Sequence, residues 1–479
     1  MIFNLIVCVD NNYGIAKTNT IPWKFVKDLK YFKDVTSGIC DKPNVVIMGN
    51  STYKSITDGF KPLSNRINII LSKLTTPTIE YNDQNPIYFN KIELLFLYLD
   101  SIKSKINECF VIGGSQIYNL FLEHKLINKI YLTHIKNVEY DCDTFFDFEK
   151  YKKQFIFETS FISNDINKLS ISKLDNILSF ETYRYLNKEE NKFIKMVNKI
   201  LNKGVYNLDR SKVGTLSLFG KSFTYDLKNY RIPLFTHRKV FLRGIIEELL
   251  FFVSGKTNTK ILEGKKVNIW KGHTSRDFLD YRGLTELNEG DMGAGYGFQL
   301  RHFGADYINA ESDYTNSGFD QLEYIINEIK HNPTSRRIVF SYWNPSDFNK
   351  TALLPCHIMY QFHVNIDTNE LSCGFYQRSN DFILAGVYNI CSASVLLFMI
   401  CHLTGYKPGK LIHNIGSVHI YNNQIEVAKE MINNNPFNFP LLYINDPDKK
   451  IKKIEDFTYE NFKLLFYRSH KKYKIEMSI

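Results

Sequence analysis

The sequence predicts two folds in series: a doubly wound α/β half with a mostly parallel sheet and helices on both faces, then an α+β half. Three observations predict this. Through the first half, short β-branched runs alternate with helix-period segments. Two later runs, at 153–162 and 178–186, read as an antiparallel finish. Beyond residue 190 the order changes to strongly apolar helices and a separate set of strands.

The expected strands of the first half are 4–10, 44–49, 67–72, 109–114 and 129–135, with helices at 27–35 and 115–125 among them. The polar stretch "NKEEN" (187–191) is the expected boundary, because no long Gly/Ser- or Pro-rich linker occurs. This gives domains at 1–186 and 192–479, joined by 187–191. The second half opens with an amphipathic helix over 191–204, stopped by Gly204. Apolar helices follow at 240–255 and 389–405, with strands at 336–343, 356–364, 371–378 and 411–421.

With 479 residues, 44% apolar and 23% charged, the chain has the composition of an ordinary globular protein. The net charge of +10 is spread along the chain, with only short clusters such as 448–453 and 470–474. That favours a solvated basic surface, or a field that draws small anionic substrates, over nucleic-acid binding as a main role. Eight cysteines occur without a CxxC pair, which indicates neither a disulfide framework nor a zinc knuckle. This usage fits a reducing, cytoplasmic setting. The N-terminus reads as a strand rather than a signal peptide, and no apolar run reaches about 18 residues, so no membrane partner is expected.

In the second half, arginines and a hydroxyl gather at expected strand ends: Arg210, the pair Arg336–Arg337, and Arg378 beside Ser379. Guanidinium forks with a hydroxyl suit a phosphate dianion. Nearby, "LPCH" places Cys356 at a strand start. Arginines near a thiol populate the thiolate, yet a lone cysteine there is more often inert core than nucleophile. Zinc is disfavoured because Cys356, His357 and His363 lack a fourth ligand at usual spacing. Taken singly, Glu248 could pair within a helix bundle, Trp270 could be core, and Asn389 could cap a helix.

The phrases "LPCH", "QRSNDF", "YNICSAS", "HIYNNQIE", "EELLFFVSGKTN", "NIW" and "YGFQLRHFGADY" together resemble thymidylate synthase, from about Asn191 to Ile479. The resemblance implies a homodimer and a set of roles. Cys356 matches the nucleophile that adds to C6 of dUMP. Arg210, Arg336, Arg337, Arg378 and Ser379 match its phosphate cradle, with the adjacent arginine pair reaching a partner subunit's site. His357 joins the dUMP set, Asn389 reads the uracil edge, and His419 and Tyr421 meet the ribose. Asp381 serves both nucleotide and folate, Glu248 organises proton transfer, and Arg238, Ile269, Trp270, Tyr388 and Ile479 fall on the folate side. The cosubstrate implied is 5,10-methylenetetrahydrofolate, without a metal. Leu300, Val387, Tyr388 and Ser417–Val418 depart from the family's usual residues.

In the first half, Asp28 lies on an expected helix beside Leu29 and Phe32, and Gly113–Gly114 end a strand before a helix, a setting that suits a pyrophosphate. With "YGIAKTNTIPW", "VVIMGNSTYKSI", "PLSNRINIILS", "FVIGGSQIY" and "YLTHI", residues 1–186 resemble dihydrofolate reductase. The resemblance makes Asp28 the pterin-binding acid, oriented by Thr133, with Trp23 holding water nearby. Ile6, Val7, Leu29, Phe32, Ile56, Ile112 and Tyr118 would line the pocket, and Arg66 would meet the folate α-carboxylate. Val7, Gly14, Ile15, Gly49, Asn50, Ser51, Thr52, Leu71, Ser72, Lys73, Gly113, Gly114, Ser115 and Gln116 would follow NADPH. Asn50 stands where a cation often meets the 2′-phosphate. In this order, the halves resemble the family in which the two enzymes are fused.

Overall fold

The computed structural model describes residues 1–37, 41–73, 85–168, 175–208 and 213–475. The chain forms two compact units. The first holds Met1–Lys188 with the segments Phe437–Pro440 and Leu465–Arg468; the second holds Glu189–Pro436, Leu441–Leu464 and Ser469–Ile479.

The first unit is built on an eight-stranded sheet of β1 (Phe3–Val9), β2 (Asn44–Gly49), β3 (Arg66–Leu71), β4 (Ile87–Phe89), β5 (Cys109–Gly113), β6 (Ile127–Lys136), β7 (Phe155–Ile166) and β8 (Asp175–Tyr185). Its order is β4-β3-β2-β5-β1-β6-β8-β7. The first six strands run parallel, and the β8–β6 and β8–β7 pairs are antiparallel. Central strands such as "NVVIMG" are continuously apolar because helices cover both faces. These helices include α1 (Val26–Ser37), α2 (Asn50–Ser55), α3 (Ile92–Ile102) and α4 (Ser115–Glu123). Phe466 packs on Phe3 and Phe96, with ring centroids 4.9 and 5.3 Å away.

The second unit begins with α5 (Lys188–Lys203), so the expected boundary segment 187–191 contains this helix's first turn. Gly204 ends it: a Cβ there would lie 2.5 Å from the Ile200 carbonyl oxygen. A six-stranded sheet follows, of β9 (Val205–Asn207), β10 (Thr215–Asp226), β11 (Val339–Ser341), β12 (His357–Asn365), β13 (Glu370–Asp381) and β14 (Lys407–Tyr421), in the order β9-β10-β14-β13-β12-β11. The expected strand over 336–343 shrinks to three residues because Arg336 and Arg337 remain in the exposed approach to it. Phe340, Tyr360, Phe375 and His413 are register neighbours on four successive strands, and their rings stack at 4.8, 5.1 and 4.3 Å.

Against this sheet lie α7 (Tyr296–Arg301) and α8 (Gly386–Thr404), and α6 (Leu242–Val253) packs on both helices. Among the described residues α8 is the one helix long and apolar enough to cross a membrane; 72% of that stretch is buried inside the protein, as a core helix is. Gly405 stops it at φ 81°.

Two candidate active sites

Cys356 sits immediately before β12. Its N–H donates to Tyr296 Oη at 2.8 Å, and its carbonyl accepts from the Arg378 N–H at 2.9 Å. The Arg378 guanidinium donates to the carbonyls of Leu354 and Pro355, both at 3.0 Å, and so fixes the backbone leading into the thiol. His357 places Nδ1 2.6 Å from Tyr360 Oη, and its ring is also hydrogen-bonded to the Asn389 side chain. Burial pushes this imidazole down to about 4, so it is neutral at physiological pH. Asn389 does not cap α8: the N-cap is Ala385, and the Asn389 N–H donates to the Ala385 carbonyl within the helix.

Glu248 lies on α6 and accepts a 2.7 Å hydrogen bond from Trp270 Nε1. Burial raises its carboxyl to about 7, against the opposing pull of that N–H. An aromatic wall connects this acid to the thiol. Tyr296 stacks on Phe252 at 4.9 Å and meets Trp270, Tyr342 and His357 edge-on at 5.9, 5.0 and 6.2 Å. Sequence reasoning missed Tyr296; only its place in "YGFQLRHFG" hinted at a role.

On β13, Ser379 directly follows Arg378 and Asp381 lies two residues beyond it; they pair with Ser417 and His419 of β14. Asp381 accepts from the Leu384 N–H at 3.0 Å and Gln424 Nε2 at 2.9 Å, while burial raises its carboxyl. Tyr421 meets His419 edge-on at 5.1 Å. Arg238 is buried, and its Nη2 donates to the carbonyls of Ile383 and Leu384 at 3.0 and 3.1 Å, with Tyr388 5.8 Å away. It therefore clamps the loop after Asp381 rather than projecting into solvent. Ile269 lies against Gly244 of α6. Arg336 and Arg337 do not join this group: both are exposed and share a concavity with Tyr324, Glu328, Asn332, Thr334 and Ser335. Arg210 and Ile479 lie outside the described residues.

In the first unit, Asp28 occupies the first turn of α1, where the helix dipole favours a carboxylate. The Thr133 hydroxyl and Cys8 thiol, register neighbours on β6 and β1, are hydrogen-bonded to it. Burial outweighs them and raises the acid to about 6, with Asp165 adding a smaller push. The indole of Trp23 is hydrogen-bonded to Cys8, on the strand beside the acid. Cys8 was absent from the sequence reading because nothing in the strand pattern separates a pocket-facing thiol from core.

Ile6 and Val7 are buried in β1, and Tyr118 Oη donates to the Ile6 carbonyl at 2.9 Å. Ile56 and Ile112 pack against one apolar cluster, whereas Leu29 is exposed. Arg66 is buried, with Nη1 on Thr36 Oγ1 at 2.7 Å, Nε on the Ser64 carbonyl at 3.0 Å, and the Phe32 ring 5.9 Å away.

The Gly49–Thr52 and Gly113–Gln116 turns adjoin at the carboxyl ends of β2 and β5, where open α/β sheets bind ligands. The chain approaches itself closely here. A Cβ on Gly49 would sit 3.3 Å from Ile117, one on Gly114 3.4 Å from Thr52 Oγ1, and one on Gly113, at φ +120°, 3.0 Å from Tyr118 Oη. Leu71 pairs with Gly49, and the Ser72 N–H donates to the Phe89 carbonyl, so Lys73 follows at the same sheet end. Ser115 Oγ donates to the Phe145 carbonyl at 2.8 Å; Phe145 pairs with Gly14, next to Ile15. Asn50 opens α2 and brings no charge.

The thymidylate synthase family model matches residues 191–479, and the dihydrofolate reductase model matches residues 2–175. Proteins named bifunctional dihydrofolate reductase-thymidylate synthase align along the whole chain. The one from Paramecium tetraurelia is 38% identical, with 99% of its own length covered. Those from Leishmania amazonensis and Arabidopsis thaliana are 35% and 38% identical, with 95% and 88% covered. The chain belongs to the bifunctional dihydrofolate reductase–thymidylate synthase family.

Proposed function

We propose that the two sites run a cycle for making dTMP, with the first unit reducing dihydrofolate and the second, opening at α5, methylating dUMP. Both activities follow from the family. The observation that carries the residue roles is one buried carboxyl per site titrating near neutrality: Asp28 at about 6 and Glu248 at about 7. An acid poised there gives and takes protons efficiently at physiological pH.

In the synthase site, the Cys356 thiolate adds to C6 of the pyrimidine, with its backbone held on both sides by Tyr296 and Arg378. Negative charge then develops at O4, within the remit of the Asn389 amide, which neutral His357 orients. Glu248 moves the protons. Arg378 and Ser379 hold the phosphate, and Arg336 and Arg337 hold that of a partner subunit. Their exposure supports a homodimer, as does the exposed register pair Met359 and Tyr376 on the outer sheet face. 5,10-Methylenetetrahydrofolate, when bound, supplies the one-carbon unit and a hydride.

In the reductase site, Asp28 protonates the bound pterin edge, with Thr133 and Cys8 fixing its orientation. NADPH, when bound, supplies the hydride. The adjoining glycine turns at 49 and 113–114, at the carboxyl ends of the central strands, fit its pyrophosphate. A cytoplasmic setting is supported by the seven described cysteines all being free.

The test mixes the protein with dUMP, methylenetetrahydrofolate and NADPH, and follows dTMP and NADPH together. Equimolar dTMP gain and NADPH loss, both abolished by Cys356→Ala, is the expected result. dTMP without NADPH loss would leave the synthase roles standing and point to Asn50 as a reductase defect. No dTMP would overturn the synthase roles.

A further inference from the structure

The first turn of α5 contains a carboxylate that the chemistry above does not use. Glu190 is fully buried, as are Thr236 and His237. Its two oxygens accept four hydrogen bonds: the Thr236 N–H at 2.6 Å, Thr236 Oγ1 at 2.8 Å, the His237 N–H at 2.7 Å and His237 Nδ1 at 2.7 Å. Burial holds the His237 imidazole below its ordinary range, and Phe193, one turn after Glu190, stacks on it at 5.1 Å.

The segment so held is the approach to Arg238, and three parts of the synthase site hang from it. The Arg238 guanidinium clamps the carbonyls of Ile383 and Leu384, beside Asp381 and Tyr388. Phe193 itself stacks on Phe382 at 4.4 Å, the residue after Asp381. The C-terminal segment docks along the same edge: the His470 N–H donates to the Thr236 carbonyl at 2.8 Å, and the Lys239 N–H to the Lys471 carbonyl at 3.1 Å. Asn434 Nδ2 then ties the His237 carbonyl, at 2.9 Å, to Tyr473 Oη, at 3.0 Å. The nucleotide-side group of Cys356, Arg378 and His357 is anchored separately, by Tyr296 and the β12–β13 pairing.

We propose that Glu190 is a positioning residue of the synthase, setting the folate side of the site through residues 236–238 while leaving the nucleotide side alone. Its carboxylate registers the helix that opens the unit against the Asp381 loop and the C-terminal segment at once. Charge-assisted hydrogen bonds of this kind are strong, and a buried donor stripped of its acceptor is costly, so the segment yields when the carboxylate is changed. The inference rests on the synthase roles proposed above.

The experiment is steady-state dTMP formation by full-length Glu190→Gln and Thr236→Val, with each protein's NADPH-dependent dihydrofolate reduction as the internal control of folding. Glu190→Gln removes the charge, and Thr236→Val removes only the hydroxyl donor. Both are expected to raise the KM for methylenetetrahydrofolate, about tenfold for Glu190→Gln and roughly threefold for Thr236→Val, with the KM for dUMP within about twofold of wild type. Unchanged folate KM in both variants, or equal losses for both substrates, overturns the proposal and makes Glu190 a general fold residue. If Glu190→Gln fails to fold, Thr236→Val decides by the same criterion. Absence of dTMP from the wild type would instead refute the synthase roles.

Discussion

Replacing Glu248 with Gln should stabilise the protein while abolishing its synthase activity, and the gain should depend on pH in a calculable way. The amide keeps the side chain's shape and an oxygen to accept the Trp270 N–H, but it cannot ionise. The wild-type carboxyl titrates at about 7 in the folded protein against 4.5 in the unfolded chain. Below pH 4.5 both states carry the proton, and Glu248→Gln has no electrostatic advantage. Between these values the folded state holds more protons than the unfolded chain, so wild-type stability falls as pH rises; above about 7 the loss is complete. At about 1.4 kcal/mol per tenfold, the deficit is under about 1 kcal/mol at pH 5 and roughly 3 kcal/mol at pH 8. Urea unfolding at the two pH values, followed by tryptophan fluorescence, measures it, because Trp270 and Trp343 both report on the second unit. dTMP formation should fall by about 10²- to 10⁴-fold. An advantage of equal size at pH 5 and pH 8 would refute the argument, since it would mean that the carboxyl is not held protonated by burial.

Asp28→Asn should lower dihydrofolate reduction by about 10²-fold or more, and wild-type kcat/KM for dihydrofolate should decline as pH rises through about 6, where Asp28 loses its proton. Cys8→Ala removes a donor to the ionised form, so the inflection of that profile should move to higher pH; a fixed inflection would show that the thiol is a spectator. Tyr296→Phe strips the Cys356 N–H of its acceptor, a loss of about 1–3 kcal/mol, and should slow dTMP formation about 10- to 100-fold while NADPH-dependent dihydrofolate reduction stays unchanged.

The elements that periodicity and short phrases made legible are those whose burial is one-sided or complete. The parallel strands of the first unit read as unbroken apolar runs, and "LPCH" and "QRSND" mark Cys356 and Arg378 along the chain. The polar segment 187–191 was not legible in this way. Two adjacent glutamates look like solvent-facing helix or linker, and nothing local says that Glu190 will find four donors some 46 residues on. Arg238 carries the same lesson: as a sequence feature it is a free cation, and in the fold its donors are bound to two backbone carbonyls.

The sequence by itself determined the two fold classes, their order, and the residue types each reaction needs, because hydrophobic period and nucleophile, acid and arginine identities are written one residue at a time. Tertiary structure alone decided which polar groups meet and what the meeting does to them. Glu248 and Asp28 are ordinary carboxyls along the chain; their position near neutrality comes from burial, set against the few hydrogen bonds that distant segments deliver. Desolvation is a property of a place in the fold, so no reading of neighbours along the chain could assign it.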